Sequence, residues 1–343
     1  MASWALRLLS SGAAGLALAA ATPDAGGTLS SVAAEYYAKV GAIALVTGRD
    51  TTMDYYQRLL DDEDLLKLPV PDGYTPSAWQ YSVQNIARLD LSLANQLLHQ
   101  TSQPMAQVRG LGETLVRSSK DGTMQPVAVY VPSTYSPGRP APLIVFLHGH
   151  PQSESELIAP EFIADLAERT GTILVAPYGR GYYDYRGSES DVYDALAAAK
   201  TAFSTDPRKR YLAGYSMGGF SVFSVAPVHP NEWAGIMAIA GALLGSLSHN
   251  VTAMLPNTPF YVLTGARDES IPTQYPTATA VFLRNAGVPV TFYSDPNATH
   301  RLSTLRTILA QAWSDMENGI VRTPYQLRAT VPLLGVQPPT MKT

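Results

Sequence analysis

The sequence contains no cysteine and carries little charge. With no Cys among its 343 residues, it can form neither disulfides nor thiolate metal sites, and a cysteine nucleophile is excluded. Charged residues make up 15% and the formal net charge is −4, which argues against nucleic acid or an anionic membrane surface as a partner. No stretch has the length and apolarity of a transmembrane helix. Hydrophobic residues reach 46%, which is typical of a globular protein with an ample core.

The most informative motif is Gly-Tyr-Ser-Met-Gly-Gly at residues 214–219. A short apolar stretch at 209–213 precedes it and predicts a strand, while the apolar residues from Phe220 onward predict a helix. A serine in a sharp turn between a strand and a helix is the context of a nucleophile elbow, where glycines avoid collisions with the neighbouring elements. Ser216 is therefore the predicted nucleophile.

Partners for Ser216 follow from the order nucleophile, acid, base that accompanies such elbows. Residues 259–264 predict a buried strand, and Asp268 follows in the next loop, where its carboxylate can receive an imidazole N–H. Of the six histidines only His300 lies beyond Asp268, on a loop between a predicted strand and the predicted helix 302–316. Asp268 is the favoured acid, and Glu269 and Asp295 remain rivals.

An oxyanion hole is predicted from a second loop. Residues 142–147 form a continuous apolar run of strand length, followed by His148-Gly149-His150-Pro151. Acyl transfer needs backbone N–H donors directed at the developing oxyanion, and the N–H groups of Met217 and His150 are the candidates. An isolated His-x-His without a nearby carboxylate is a weak metal motif, so neither a metal nor an organic cofactor is predicted.

Apolar segments of strand and helix length alternate from about residue 142 onward. This alternation predicts an α/β fold with a mostly parallel sheet and helices on both faces, whose site lies at the carboxyl ends of the strands. His148, Gly149, Tyr178 and Tyr215 are the expected pocket residues at that edge. Residues 127–131 alternate in hydrophobicity and predict an antiparallel edge strand.

Four segments are predicted. Residues 1–21 combine one basic residue, a mildly apolar stretch and an Ala-Ala-Ala ending, which favours an export signal (periplasmic or secreted) over an ordinary first helix in a cytoplasmic protein. Apolar residues recur at helical spacing within residues 22–105, which predicts a helical N-terminal extension. Residues 106–322 form the predicted catalytic domain, and 323–343 a proline-containing tail.

The region from about residue 126 to 317 resembles the α/β-hydrolase superfamily of serine esterases. The similarity is greatest to the prolyl oligopeptidase-like and esterase group, which includes the feruloyl-esterase-like and polyhydroxybutyrate-depolymerase-like enzymes. The resembling pieces are residues 146–150, 176–181, 191–195 and 206–212, the elbow, His229-Pro230 and the loop from Gly265 to Asp268. The resemblance implies the α/β-hydrolase fold. One departure is that His-Gly-His-Pro replaces the HGGG-type loop of related lipases and esterases.

These observations predict a serine hydrolase that cleaves carboxylic esters through an acyl-enzyme, with Ser216, Asp268 and His300 as a catalytic triad. The expected substrate is a small-molecule or polymer-derived ester. A prolyl oligopeptidase-like peptidase with the same triad is the alternative, and a non-catalytic binding protein on the same fold is a third hypothesis. The sequence gives no indication of the oligomeric state.

Overall fold

The computed structural model describes residues 28–65, 67–70, 74–181, 183 and 188–319. Within this part of the chain, eight strands form one sheet with the order β1-β2-β4-β3-β5-β6-β7-β8. The strands are β1 (Gly110–Arg117), β2 (Met124–Val131), β3 (Ala141–Leu147), β4 (Ile173–Pro177), β5 (Thr205–Tyr215), β6 (Gly235–Ile239), β7 (Phe260–Gly265) and β8 (Val290–Asp295). The pairs from β4 through β8 are parallel, and β1 and β2 add an antiparallel end.

Helices cover both faces of this sheet, as the alternation predicts. They are α1 (Leu29–Ala38), α2 (Val40–Thr47), α3 (Arg49–Leu65), α4 (Pro76–Leu98), α5 (Glu154–Ile158), α6 (Glu161–Thr170), α7 (Glu189–Ala202), α8 (Met217–Val225), α9 (Ser248–Met254), α10 (Gln274–Asn285) and α11 (Arg306–Gly319). The apolar side chains of α7, α8 and α10 form one core layer with the sheet, and those of α5, α6 and α11 form the other.

The segment before the sheet is helical, as predicted, and it has a core of its own. Helices α1 to α4 pack together through buried side chains such as Tyr36, Leu59 and Leu93, and they contact Leu115 of β1. The end of α4 that carries Trp79 packs on Ala159, directly after α5. The N-terminal helices therefore lean on the antiparallel end of the sheet and on α5.

Several predicted elements differ from those observed. The strand at 127–131 is not an edge, because β2 lies between β1 and β4 and is buried on both faces: Val129 packs in one core layer and Ala128 in the other. Residues 154–170 form two helices, α5 and α6, because Pro160 has no N–H to continue the first. The last helix begins at Arg306 instead of residue 302.

No single described helix is long and apolar enough to cross a membrane. Helices α1 and α2 together reach such a length and composition, but they are bent by 84° at their junction. The predicted export signal at 1–21 and tail at 323–343 lie outside the described residues, and the segment boundaries stay predictions.

Candidate active site

Ser216 lies in a strained turn between β5 and α8. Its φ of 53° is in the left-handed region that non-glycine residues seldom adopt, and its N–H donates to Ile239 O at 2.8 Å. A Cβ at Gly214 would lie 2.1 Å from Gly218 O, and a Cβ at Gly218 would lie 2.3 Å from Leu147 O. Only glycine fits at both positions, which gives the sequence motif its physical reason.

The structure brings Ser216, His300 and Asp268 into one chain of hydrogen bonds. Ser216 Oγ lies 2.8 Å from His300 Nε2, and His300 Nδ1 lies 2.8 Å and 3.0 Å from the two carboxylate oxygens of Asp268. The Asp268 carboxylate is buried, and its Oδ1 also accepts the N–H groups of Ser270 and Ile271 at 2.9 Å and 2.7 Å. The imidazole therefore has a fixed partner on each nitrogen, so that the arrangement can relay a proton from the hydroxyl.

The two rival acids occupy supporting positions instead. Asp295 Oδ1 accepts the N–H groups of Asn297 and Ala298, at 2.8 Å and 3.2 Å, and so caps the loop that carries His300. Glu269 Oε2 accepts the backbone N–H of His300 at 3.2 Å. Neither carboxylate contacts the imidazole, and both hold the backbone that positions it.

The predicted oxyanion loop lies against the nucleophile. A Cβ built at Gly149 would be 3.1 Å from Ser216 Cβ, so the backbone of this loop passes directly over the elbow. The N–H of Gly218 donates to His148 O at 3.1 Å and is thereby engaged. Met217 opens α8, and the first N–H groups of a helix have no acceptor within that helix. This geometry is compatible with Met217 and His150 as the two donors.

His148 and Tyr215, two of the expected pocket residues, are both buried in the structure. His148 is buried beneath the loop, where its Nδ1 and Nε2 each lie 2.9 Å from a carbonyl oxygen, of Gly149 and Tyr178 respectively. Burial lowers the pKa of His148, against the opposing effect of those carbonyls. Tyr215 is buried, and its hydroxyl donates to His300 O at 2.5 Å. Both residues support the site from below.

Two cavities flank the site, and the first of them was not predicted from the sequence. It measures about 510 Å³ and lies between α8, α10 and the segment after β6, with mainly apolar lining from residues such as Phe220, Leu243 and Ile271. It adjoins the nucleophile, because the N–H of Phe220 donates to Ser216 O at 3.0 Å. No sequence motif marks this cavity, since its walls come from three separated segments.

The second cavity, of about 270 Å³, lies between α3 and the loop after β3. We call it the seam cavity; its lining includes Asp54, Gln57, Asp61, His150, Gln152 and Tyr178. Two residues of the predicted site, His150 and Tyr178, are thus found here. The other wall comes from α3, which belongs to the predicted helical extension and carries no recognised site motif.

A buried charge cluster holds α3 against the catalytic core. Arg58 lies among Asp90 of α4, Glu113 of β1 and Glu154 of α5; its guanidinium hydrogen-bonds directly to Asp90 and reaches Glu154 at 2.7 Å and Glu113 at 3.4 Å. Burial opposes ionisation of Glu154, but the charge of Arg58 and a hydrogen bond from Glu113 hold the pKa of Glu154 below its ordinary value. Burial raises the pKa of Glu113 well above its ordinary value.

Among the described residues, no group of three or more His, Cys, Asp or Glu side chains is arranged to hold a metal ion. The acidic cluster at α3 is centred on Arg58, whose guanidinium occupies the position between the carboxylates. The prediction that the protein uses no metal remains a prediction.

Comparison with known proteins adds to this geometry. A family model described as "Putative esterase" matches residues 118–270, somewhat less than half of the chain. A ferulic acid esterase of known structure superimposes with a TM-score of 0.53 at 18% identity, over 61% of this chain and 97% of its own. AmCE1/Fae1A, a ferulic acid esterase from Anaeromyces mucronatus, superimposes with a TM-score of 0.51 at 16% identity, over 60% of this chain and 90% of its own. The chain has the α/β-hydrolase fold.

One curated relative also matches part of the chain. The bifunctional acetylxylan esterase/xylanase XynS20E of Neocallimastix patriciarum is 26% identical over 127 residues, which is 36% of this chain. The match spans 19% of that relative, about a fifth of its length. The predicted fold class is confirmed, and the family match supports the predicted enzyme class, a carboxylic ester hydrolase.

Proposed function

We propose that this α/β-hydrolase is a serine esterase that hydrolyses carboxylic esters through an acyl-enzyme on Ser216. The observation that carries the proposal is the hydrogen-bond chain from Ser216 Oγ through His300 to Asp268, on a turn where Ser216 adopts a φ of 53°. Nucleophile, base and acid stand within hydrogen-bond distance before any substrate arrives, which is the arrangement that activates a hydroxyl.

In the first half-reaction Ser216 Oγ attacks the ester carbonyl while His300 Nε2 accepts its proton. Asp268 fixes the tautomer with the proton on Nδ1 and stabilises the imidazolium that forms. The N–H groups of Met217 and His150 bind the developing oxyanion. His300 then returns the proton to the departing alcohol.

In the second half-reaction a water molecule gives its proton to His300 and attacks the acyl-enzyme carbonyl. The tetrahedral intermediate collapses, the proton passes to Ser216 Oγ, and the carboxylic acid leaves. The ester and the water molecule supply all the atoms of the two products.

The cavity next to Phe220 supports a substrate with an apolar acyl group. Its lining is dominated by Leu243, Leu244, Ile271 and Phe282, and it offers about 510 Å³ beside the nucleophile. Small-molecule or polymer-derived esters are the proposed substrates. Feruloyl and acetyl esters are the first to test, because the similar proteins are named as ferulic acid and acetylxylan esterases.

Substitution of Ser216 by alanine tests the proposal. We expect Ser216→Ala to lower kcat for a nitrophenyl ester at least about a thousandfold, because only binding and oxyanion stabilisation remain. Ser224→Ala is the matched control; this serine lies on the same helix and donates to Ser221 O at 2.9 Å. A Ser216→Ala enzyme that keeps more than about a tenth of wild-type activity, with an unchanged circular dichroism spectrum, refutes the proposal.

We also infer export. The apolar stretch and Ala-Ala-Ala ending within residues 1–21 support it. N-terminal sequencing of the protein made in its native host tests it, and a chain that still begins at Met1 contradicts it.

A further inference from the structure

The seam cavity has no part in the mechanism above, although it opens beside the predicted oxyanion residue His150. Its walls come both from the N-terminal helix α3 and from loops of the catalytic core. Most of the residues that line it are polar or charged, and it is more polar than the cavity near Phe220. This difference suggests that the two cavities receive chemically different parts of one substrate.

Helix α3 presents hydrogen-bonding side chains to the seam cavity. Asp54, Gln57 and Asp61 are spaced by three and four residues, lie on one helix face and line the cavity. Gln57 Nε2 donates to Asp61 Oδ1 at 3.0 Å, and Asp54 Oδ2 accepts the Tyr178 hydroxyl at 3.0 Å. The carboxylates leave further lone pairs available to hydroxyl donors.

The charge balance of the seam cavity disfavours an anionic ligand. The two arginines that line it are already paired: Arg58 with the buried carboxylates, and Arg180 with Asp121 at 2.6 Å and Asp191 at 2.7 Å. Asp54 and Asp61 therefore dominate the field at the opening. A carboxylate or phosphate on the ligand would be repelled.

A buried acceptor in the same cavity lacks a partner. The Gln152 side chain is 7% exposed, and its Nε2 donates to Glu156 O at 3.3 Å. Its Oε1 is buried without a hydrogen-bond partner among the described residues, whereas the large majority of buried polar atoms have one. Gln152 follows His150 by two residues, and both line the seam cavity.

We propose that the seam cavity is the subsite for the alcohol part of the ester, and that this part is an uncharged polyhydroxylated group such as a sugar residue. The inference rests on the proposed function. Hydroxyl groups supply the donors that Gln152, Asp54 and Asp61 can accept. A quaternary ammonium group is a poorer fit, because such cations favour a cage of aromatic rings, and Tyr178 is already stacked on His148 with centroids 6.2 Å apart.

Three butyrate esters that differ only in the alcohol test the subsite: 6-O-butyryl-D-glucose, ethyl butyrate and butyrylcholine. The measured quantity is kcat/KM for each, in the wild type and in Gln152→Leu and Gln57→Ala. Gln311→Ala is the control, because Gln311 on α11 makes the same contact as Gln57, donating to an aspartate four residues on at 3.0 Å. Helix α11 packs on α6, β7 and β8, and Gln311 does not line the seam cavity.

We expect the wild type to prefer the glucose ester over ethyl butyrate at least about tenfold. Each seam substitution should reduce this preference by a factor of about three to ten, the worth of one hydrogen bond, while Gln311→Ala changes it less than about twofold. An unchanged preference in both seam variants refutes the subsite. A larger loss for butyrylcholine than for the glucose ester overturns the assignment to a polyhydroxylated group.

Direct binding separates failure of the subsite from failure of the proposed function. If the wild type hydrolyses neither these three esters nor a nitrophenyl, feruloyl or acetyl ester, the proposed function is wrong. Ligand-observed NMR with D-glucose then still tests the cavity: we expect line broadening by the wild type that Gln152→Leu abolishes. Absence of broadening by the wild type contradicts the subsite whatever the activity.

Discussion

The contacts of Asp268 predict a specific effect of replacing this residue by asparagine. Oδ1 accepts two backbone N–H groups, from Ser270 at 2.9 Å and Ile271 at 2.7 Å, so the Asn side chain must place its oxygen there. Its NH₂ group then takes the position of Oδ2, which lies 2.8 Å from His300 Nδ1. Because an NH₂ group only donates, Nδ1 must become an acceptor and the imidazole proton moves to Nε2.

That tautomer disables the base, because Nε2 is the atom that faces Ser216 Oγ at 2.8 Å. A protonated Nε2 cannot accept the hydroxyl proton, although the positions of all atoms are nearly unchanged. We expect kcat to fall by about three to four orders of magnitude, or about 4 to 5.5 kcal/mol of barrier. The general rule for Asp→Asn in serine-hydrolase triads gives the same magnitude.

The assay is steady-state hydrolysis of a nitrophenyl ester by the wild type, Asp268→Asn and Asp295→Asn. Asp295 is the control, because its Oδ1 accepts two N–H groups in the same way but has no contact with the imidazole. An Asn there can accept both bonds, and activity should stay within about threefold of the wild type. The reverse ranking of the two variants would refute the assignment of the acid.

Three further predictions concern docking, pH and substrate. Arg58→Met should lower the free energy of unfolding by about 3 to 5 kcal/mol in urea titration, because it leaves buried carboxylates without their cation. Arg208→Met is the control, because Arg208 forms an exposed ion pair with Asp206, and its unfolding midpoint should equal that of the wild type. Equal effects of the two substitutions would contradict the role of the buried charge cluster. Burial raises the pKa of Glu317 to about 6, so the folded state binds the proton more tightly than the unfolded state, and the free energy of unfolding falls as pH rises from about 4.5 through 6. Glu317→Gln should therefore be about 1 to 2 kcal/mol more stable than the wild type at pH 8 and equal to it at pH 4. A difference in stability that does not vary with pH would contradict this. For a short-chain aryl ester, kcat/KM should exceed that for any peptide anilide by at least about a hundredfold, a difference of about 2.7 kcal/mol in activation free energy. The reason is that amide cleavage needs better protonation of the leaving group. Comparable rates on a proline anilide would favour the peptidase alternative.

The elbow and its partners were predictable because each obeys a tight local constraint. The glycines at 214 and 218 are required by backbone contacts at 2.1 Å and 2.3 Å, so the motif reports the turn directly. Chain order then singled out His300, since the alternation of strands and helices places loops at one edge of the sheet. Asp268 could be favoured over its rivals only by its distance from the end of β7.

The role of the N-terminal helices could not be predicted in the same way. Their apolar spacing correctly indicated helices, but Arg58 and Glu154 are 96 residues apart, and nothing in either neighbourhood marks the ion pair. The seam cavity likewise depends on how α3 docks, which is a matter of tertiary packing. The break at Pro160, by contrast, carried a local signal, because proline cannot donate a helical hydrogen bond.

The strand over 127–131 shows a limit of reasoning from alternation. Val127 and Val129 face one core layer, and the intervening Ala128 faces the other, where α5 and α6 cover it. Alternating hydrophobicity along a strand usually indicates that one face of the sheet is exposed to solvent, but a small alanine or an amphipathic tyrosine can also lie in a second buried layer. The antiparallel strand β1 at the true edge has Glu113 buried at its centre, paired with Arg58, and so escaped recognition.

The most direct test of the account is covalent labelling of Ser216. A fluorophosphonate reacts with a serine that an adjacent base has activated, and peptide mapping by mass spectrometry locates the adduct. We predict one phosphonyl group per chain on the peptide that contains Ser216, none on Ser216→Ala, and loss of nitrophenyl ester hydrolysis in proportion to the fraction labelled. Continued ester hydrolysis by fully labelled enzyme, or labelling confined to another residue, would contradict the proposed mechanism.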